Sequence, residues 1–532
     1  MRLFVQSGRN PQREVGEDVW ILLENTWNDY SYRTLYNLYR QTADGFRHFG
    51  GIKILRLGQD AGETSLPRGE VGDGRLPDNY VSRGNNLDLY VNLTTLGQAE
   101  ARTKLQEFRD IGWSPAFAEP FAQERGLQLS LHRDESDPAP FYADARAIIE
   151  AGGALPDRHR FAFGFAPGPN AEMIEFAFHP ATRAPLAGEV GPSRRVMVFV
   201  GANGVGKTQL LARLARVAYT PPDERGAVVD SGHFRDTPAF PGIVTISYSA
   251  FDTFKPPELV GDDVDAVAEQ MRDGTGRYAY CGTRDLASAV LNPGAPATLL
   301  SANAQAELFA ARIEQVRAAD KFTFLAQVLA PVMAEDSFKR LIPQPVDGVL
   351  QSDAARLDAF LGADPAAAFL DLSSGHMIAL HVLASLVATL KRRGLALIDE
   401  PETHLHPPLL AALMTGVRRV LDRLDAYGIV ATHSSVVAQE VPASQVRVVE
   451  WGVAGPLIRP VGVQTFGENT GTLTREIFGL HTGATDYREV LDRLANAFHT
   501  VEAIEAALGE PLSTQATAHV VSVLARRANA VG

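Results

Sequence analysis

An α/β fold around a buried parallel sheet, interrupted by a helical insertion, follows from three observations. Residues 196–200, Val-Met-Val-Phe-Val, are apolar throughout, as a strand covered on both faces must be, and they run directly into a glycine-rich turn and a helix. Two later apolar runs, 395–398 and 427–432, each end in ionisable residues, the pattern of parallel strands that present chemistry at their carboxyl ends. Between the first strand and these two lies an interval long enough for a subdomain, and its segment 304–316 has the periodicity of an amphipathic helix.

The chain has 532 residues, which at about 150 per domain is more than one core requires. Its composition, 45% hydrophobic and 21% charged, is that of a globular protein and excludes a disordered or fibrous one. The net charge of −13 argues against a uniformly basic nucleic-acid coat, although a local basic strip would survive screening over about 10 Å. The single cysteine, Cys281, rules out an internal disulfide and a cysteine-based zinc cluster. Positions 9, 13, 14 and 17 (Arg, Arg, Glu, Glu) interrupt any signal peptide, and the apolar run 377–390 contains His381 and falls short of the roughly 20 residues of a membrane span. A cytoplasmic protein without a membrane partner is the expectation.

Residues 1–155 read as a mixed α/β domain of unassigned role, with aromatic-rich segments at 19–23 and 30–39, a strand at 87–93, and loops at 58–86 and 134–141. From 156 to 254 the pattern turns to alternation, 161–165 and 173–178, two short strands before the buried strand at 196–200. The next eight residues, Gly201-Ala202-Asn203-Gly204-Val205-Gly206-Lys207-Thr208, satisfy G-x-x-x-x-G-K-[ST], with a strand before and a helix (209–217) after. Asn203, Gly204 and Gly206 let backbone amides curl around phosphates at a helix amino terminus, Lys207 reaches the β- and γ-phosphates, and the Thr208 hydroxyl can ligate Mg²⁺. Lysine is scarce: only Lys53, Lys104, Lys207, Lys255, Lys321, Lys339 and Lys391 occur.

Residues 255–365 form the expected helical insertion. The second half of the core, 366–465, carries three further pieces. Leu372-Ser373-Ser374-Gly375-His376 opens a long apolar helix. The strand 395–398 ends in Asp399, suited to hold Mg²⁺ directly or through water, and Glu400, suited to orient or deprotonate an attacking water. The strand 427–432 ends in His433.

Phosphate loop, L-S-x-G motif, acidic strand and terminal histidine, in that order, resemble the head domain of ABC-type ATPases. The resemblance implies a Mg²⁺-dependent ATPase that closes as a homodimer, or a higher assembly of dimers, around ATP. Ser373 and Gly375 would then contact ATP from the opposite subunit, while Lys207, Thr208, Asp399, Glu400 and His433 act in their own. The signature ends in His376 rather than glutamine, and after the strand at 243–248 the residues Ser249-Ala250-Phe251-Asp252 contain no glutamine, which separates the chain from transporter motors. The run Asp399-Glu400-Pro401-Glu402-Thr403-His404-Leu405-His406-Pro407 resembles the OLD/RecF-like group of stand-alone ATPases found in DNA repair and anti-phage defence. His404 and His406 do not share a helical face, so a D-loop is favoured over a metal pair.

The last part, 466–532, reads as a helical, partner-binding region, with helices at 473–478 and 487–498. Glu450 closes a strand at 446–450, but no D-x-D follows as a TOPRIM nuclease would need, and no HNH-like cluster is present. The layout is similar to the ATPase subunit of Septu-type or retron-associated systems, which implies a separate HNH-type nuclease partner and anti-phage defence. The alternative is a RecF-like repair ATPase that binds DNA directly. Arg194/Arg195, Arg392/Arg393 and Arg418/Arg419 are candidate DNA contacts, although arginine pairs are more often solvated surface.

Overall fold

The computed structural model describes the chain except residues 1, 9, 17, 26–31, 44, 133–137, 154–160, 180–182, 185–187, 190–193, 223, 236–237, 239, 250–253, 256–263, 293–296, 343–351, 453–454, 479–485 and 532. Tyr30 and the segment 250–252, where a Q-loop was sought, therefore lie outside the described residues. The chain divides into two compact units, Met1–Gly467 and Glu468–Gly532.

The first unit opens with β1 (Arg2–Gln6), β2 (Val19–Glu24), β3 (Leu35–Thr42), β4 (Gly45–Arg56), β5 (Gly69–Glu70) and β6 (Tyr80–Gly84). They form a six-stranded sheet in the order β5-β1-β2-β3-β4-β6, antiparallel except for the β1–β2 pair. Helices α1 (Asp88–Thr94), α2 (Gln98–Glu107) and α3 (Ala139–Glu150) share a core with it that includes Trp20, Phe49, Leu89, Leu105 and Ile148. The strand expected at 87–93 is helix α1. Its buried residues Leu89, Tyr90 and Leu93 follow helical spacing, the Asn86 side chain accepts from the Asp88 amide at 2.9 Å, and Leu89 packs beside Gly50 of β4.

Next come β7 (Phe161–Ala166), β8 (Ile174–Phe178), the short pair β9 (Arg183–Ala184) and β10 (Gly188–Glu189), β11 (Val196–Val200), α4 (Lys207–Tyr219), β12 (His233–Phe234) and β13 (Ile243–Ser247). The span 255–365 holds α5 (Val264–Asp273), β14 (Tyr278–Gly282), α6 (Leu286–Leu291), α7 (Ala302–Ala318), α8 (Phe322–Met333), α9 (Asp336–Lys339) and α10 (Asp353–Leu361). It is thus not purely helical: the buried β14 pairs in parallel with β13 and extends the central sheet. After α11 (Pro365–Leu370) follow α12 (Ser374–Thr389), β15 (Leu395–Asp399), α13 (Pro407–Leu424), β16 (Tyr427–Thr432), α14 (Ser435–Gln439), β17 (Val446–Gly452) and β18 (Gly455–Pro460).

The central sheet runs β14-β13-β15-β16-β11-β17-β18, parallel throughout except for the β17–β18 hairpin. Met197, Phe199, Leu397 and Ile429 point to one face, where α4 and the small β12-β7-β8 sheet pack through Leu211, Leu214, Phe163, Phe165 and Phe176. On the other face α12 and α13 bring Ile378, Val382, Leu413 and Met414 towards Ile246 and Ile398. Both faces being covered explains why these strands read as unbroken apolar runs.

The amino-terminal sheet region is ionically joined to this core. Arg392 Nε lies 2.8 Å from Asp88, and Arg393 bridges Asp144 to Asp425, 2.9 Å from the latter. Arg195 also pairs with Asp425, and Arg418 lies 2.6 Å from Glu440. Arg195, Arg392, Arg393 and Arg418, offered by the sequence as candidate DNA contacts, are therefore spent on internal ion pairs. Arg419 donates to the Gln327 carbonyl of α8.

The second unit contains α15 (Thr470–Phe478), α16 (Asp486–Phe498), α17 (Val501–Leu508) and α18 (Thr514–Val531), with a small core of Leu491, Ala495, Ile504 and Val520. Among the described residues no helix is long and apolar enough to cross a membrane.

Candidate functional site

Strand β11 ends in the loop 201–206, whose curvature depends on two left-handed glycines, Gly204 (φ 80°) and Gly206 (φ 94°). Asn203 and Gly204 are exposed where the loop meets the amino end of α4, the place at which backbone amides can receive an anion. The side chain of Lys207 folds back over the loop, with Nζ donating to the Gly201 and Ala202 carbonyls at 2.9 Å each. Its burial depresses its pKa, opposed by the nearby carboxylates of Glu400, Glu402 and Asp399.

Those carboxylates come from the end of β15, two strands away. Thr208 Oγ1 donates to Asp399 at 2.9 and 3.0 Å, joining the first turn of α4 to the acidic strand. Asp399 is buried, whereas Glu400 leaves the strand in the left-handed region (φ 47°), its amide held by the Ala431 carbonyl at 2.8 Å. That turn brings Glu400 to 3.9 Å from His433 Nδ1 at the end of the adjacent β16.

Glu402 organises this corner, a role that the sequence left unassigned. Its side chain is 9% exposed; it accepts from Thr432 Oγ1 at 2.7 Å and the His433 amide at 2.6 Å, and lies 2.9 Å from His433 Nδ1. Burial alone would raise the pKa of Glu402, but the bonds from His433 and Thr432 outweigh it and the net direction is down. The same hydrogen bond raises the pKa of His433, assisted by the charges of Glu402 and Glu400. With Nδ1 engaged, Nε2 is the ring nitrogen left to face a ligand. The only sequence hint was a third carboxylate within 399–402.

Ser373 and Gly375 sit in a second cluster. Ser373 stands at the amino-cap position of α12 but makes no capping bond; its hydroxyl instead meets His376 Nδ1 at 2.9 Å, His376 Nε2 meets Ser337 at 2.8 Å, and Ser337 bonds Glu335. A Cβ on Gly375 would lie 2.9 Å from the His404 carbonyl, so the motif packs against the segment after β15. His406 is the amino-terminal cap of α13, Nδ1 accepting from the Leu409 amide at 3.1 Å, and its Nε2 lies 3.8 Å from Glu335. Among the described residues no cluster of three or more His, Cys, Asp or Glu is arranged to hold a metal.

Magnesium fits where the sequence placed it. Mg²⁺ is commonly bound by one or two hard oxygen donors plus substrate phosphates, and the Thr208 hydroxyl and Asp399 carboxylate converge on one point beside the phosphate loop.

Residues 332–438 match a family described as "AAA domain, putative AbiEii toxin, Type IV TA system". That stretch spans Ser373, Gly375, Asp399, Glu400, Glu402 and His433. The chain is similar to Protein ea59 of Escherichia phage lambda, 28% identical over 499 residues that cover 90% of this chain and 89% of that protein. A solved structure, titled "An inward-facing conformation of a putative metal-chelate type ABC transporter", overlaps 57% of this chain and 83% of its own at 13% identity; its TM-score of 0.24 carries no fold assignment. The match to an AAA domain over 332–438 and the geometry around the phosphate loop support a P-loop ATPase domain.

Proposed function

We propose that this chain is a dimerising ABC-type ATPase of the OLD/RecF-like group that hydrolyses ATP to ADP and phosphate and thereby regulates a DNA-processing partner, a separate HNH-type nuclease in anti-phage defence. The observation that carries the hydrolytic part is the convergence of Lys207, Thr208, Asp399, Glu400 and the Glu402-held His433 at one sheet end. The toxin named in the family description and the phage origin of the relative support a setting of phage–host conflict.

In this reading the loop amides and Lys207 hold the β- and γ-phosphates, Lys207 exchanging its two carbonyl contacts for phosphate oxygens. Thr208 and Asp399 would hold Mg²⁺, which would supply positive charge against the phosphates. Glu400 accepts a proton from the attacking water, and His433, whose pKa is raised by its bond to Glu402, donates from Nε2 to the γ-phosphate in its protonated form. Ser373 and Gly375 act on the ATP of the second copy, so closure of two heads completes each site.

Phosphate release and light scattering on the purified chain test this. Lys207→Ala is expected to abolish ATP binding, and Glu400→Gln to bind ATP and accumulate as a dimer. Ser373→Arg should lose hydrolysis while retaining affinity; equal loss of binding would place that motif in its own subunit's site. DNA cleavage by the chain alone would overturn the separate-nuclease assignment, and junction binding without a copurifying nuclease would favour a repair role.

A further inference from the structure

Trp451, at the end of β17, is 67% exposed, unusually open for an indole. Its position relative to the phosphate loop is set by strand register. Val200 of β11 stands opposite Val448 of β17, and a Cβ on Gly201 would fall 2.2 Å from the Val449 carbonyl. Trp451 is two residues further on, so it extends past the start of the loop on the same face of the strand as Val449. Val449 belongs to the core cluster that contains Leu210, Leu211 and Leu214 of α4, which puts Trp451 on the α4 side of the sheet. Its partner across the hairpin, Pro456, brings Cγ to 3.7 Å from the position of a Cβ on Gly206, the residue that opens α4.

Direction supplies the rest. Asp399, Glu400 and His433, the groups suited to the γ-phosphate end, come from β15 and β16 on one side of β11. A triphosphate lying along the loop therefore carries its base out on the other side, where β17 and β18 stand. We propose that Trp451 is a stacking platform for the purine of the bound nucleotide, with Pro456 closing the hairpin onto the loop beneath it. An aromatic face at that point adds affinity for the base without touching the phosphates, and base–aromatic stacking is tolerant of the base's edge chemistry. The proposal rests on the ATP site described above.

Calorimetric titration of the full chain with ATP, ADP and inorganic tripolyphosphate separates base from phosphate binding. Trp451→Ala is expected to weaken ATP and ADP about tenfold and leave tripolyphosphate unchanged, with Trp451→Phe recovering most of the loss. ATP should also quench tryptophan fluorescence in the unaltered chain and much less in Trp451→Phe. Wild-type ATP affinity in Trp451→Ala overturns the proposal, as does an equal loss for tripolyphosphate, which would mean a disturbed loop or a hairpin that serves another partner. Lys207→Ala isolates the underlying site: loss of all three ligands upholds it whatever Trp451 does, and retention of ATP would remove both readings.

Discussion

The two large sheets of the Met1–Gly467 unit treat buried carboxylates in opposite ways. In the amino-terminal sheet region, Asp110 is fully buried and its pKa is pushed up to about 7 by burial, although Tyr90 Oη and the Gly84 and Trp113 amides donate to it at 2.9–3.2 Å. Its hydrogen-bonding capacity is used inside the core. In the central sheet, Asp399 is equally buried, but Glu400 and His433 beside it remain partly exposed. The two acids differ in position: Asp110 follows α2 and bridges to Ser82 of β6 inside the core, whereas Asp399 ends a strand of the parallel sheet. Parallel strands all finish on one edge and bring their last residues together. The first position holds a fold; the second leaves charge available for chemistry.

Substitutions in the two regions should accordingly separate stability from turnover. The largest effect is expected at their junction, where Arg393→Ala removes the guanidinium shared by buried Asp144 and Asp425, costing about 3 kcal/mol or more. Calorimetric unfolding would show this as a lowered Tm; an unchanged Tm would mean that the two regions are not coupled through this pair.

At the chemical edge, Glu400→Gln should reduce hydrolysis by about a hundredfold or more while leaving Tm in place, measured by phosphate release. Slightly smaller is Asp110→Ala, which strands three donors and should cost about 2 kcal/mol of stability with turnover per folded molecule unchanged. If that variant loses hydrolysis while still folded, the contrast between the two sheets fails.

The smallest effect is expected at Glu402→Gln, about a tenfold loss of rate. Its pH dependence is the sharper readout. Because Glu402 raises the pKa of His433, the stabilisation from that histidine is complete below about 6.5 and fades as pH rises through the raised value. The pKa of Glu402 is lowered, so its own contribution is present above its ordinary value and disappears as pH falls through the lowered one. The pair is therefore strongest between the two, and in Glu402→Gln the His433 titration, followed by NMR, should move to lower pH. An unmoved His433 would assign its positioning to some other group.

Much of the site is legible in the sequence because its parts are local. The loop 201–208, the strand ending in Asp399 and the strand ending in His433 each declare themselves within ten residues. Leu89, Tyr90 and Leu93 misled because a short apolar run bounded by loops is compatible with either period; packing over Gly50 selects the helix. β14 was hidden for a related reason: one edge strand among helices has no neighbour in sequence to signal its pairing with β13. Glu402 was visible but without a role, since Thr432 and His433, which define it, lie on the next strand. Arg392 and Arg393 illustrate the reverse case, a basic pair that resembles surface until Asp88 and Asp144 are brought against it.

By itself, then, the amino-acid order determined the phosphate loop, the acidic strand end and the buried character of the central strands, because each depends on side-chain type and short-range spacing. Tertiary structure alone decided which carboxylate holds His433, which arginines are used up internally, and that Pro456, the hairpin partner of the exposed Trp451, stands beside Gly206. Those facts depend on the register and order of strands distant in the chain, and the free energy that selects them comes from packing both sheet faces at once.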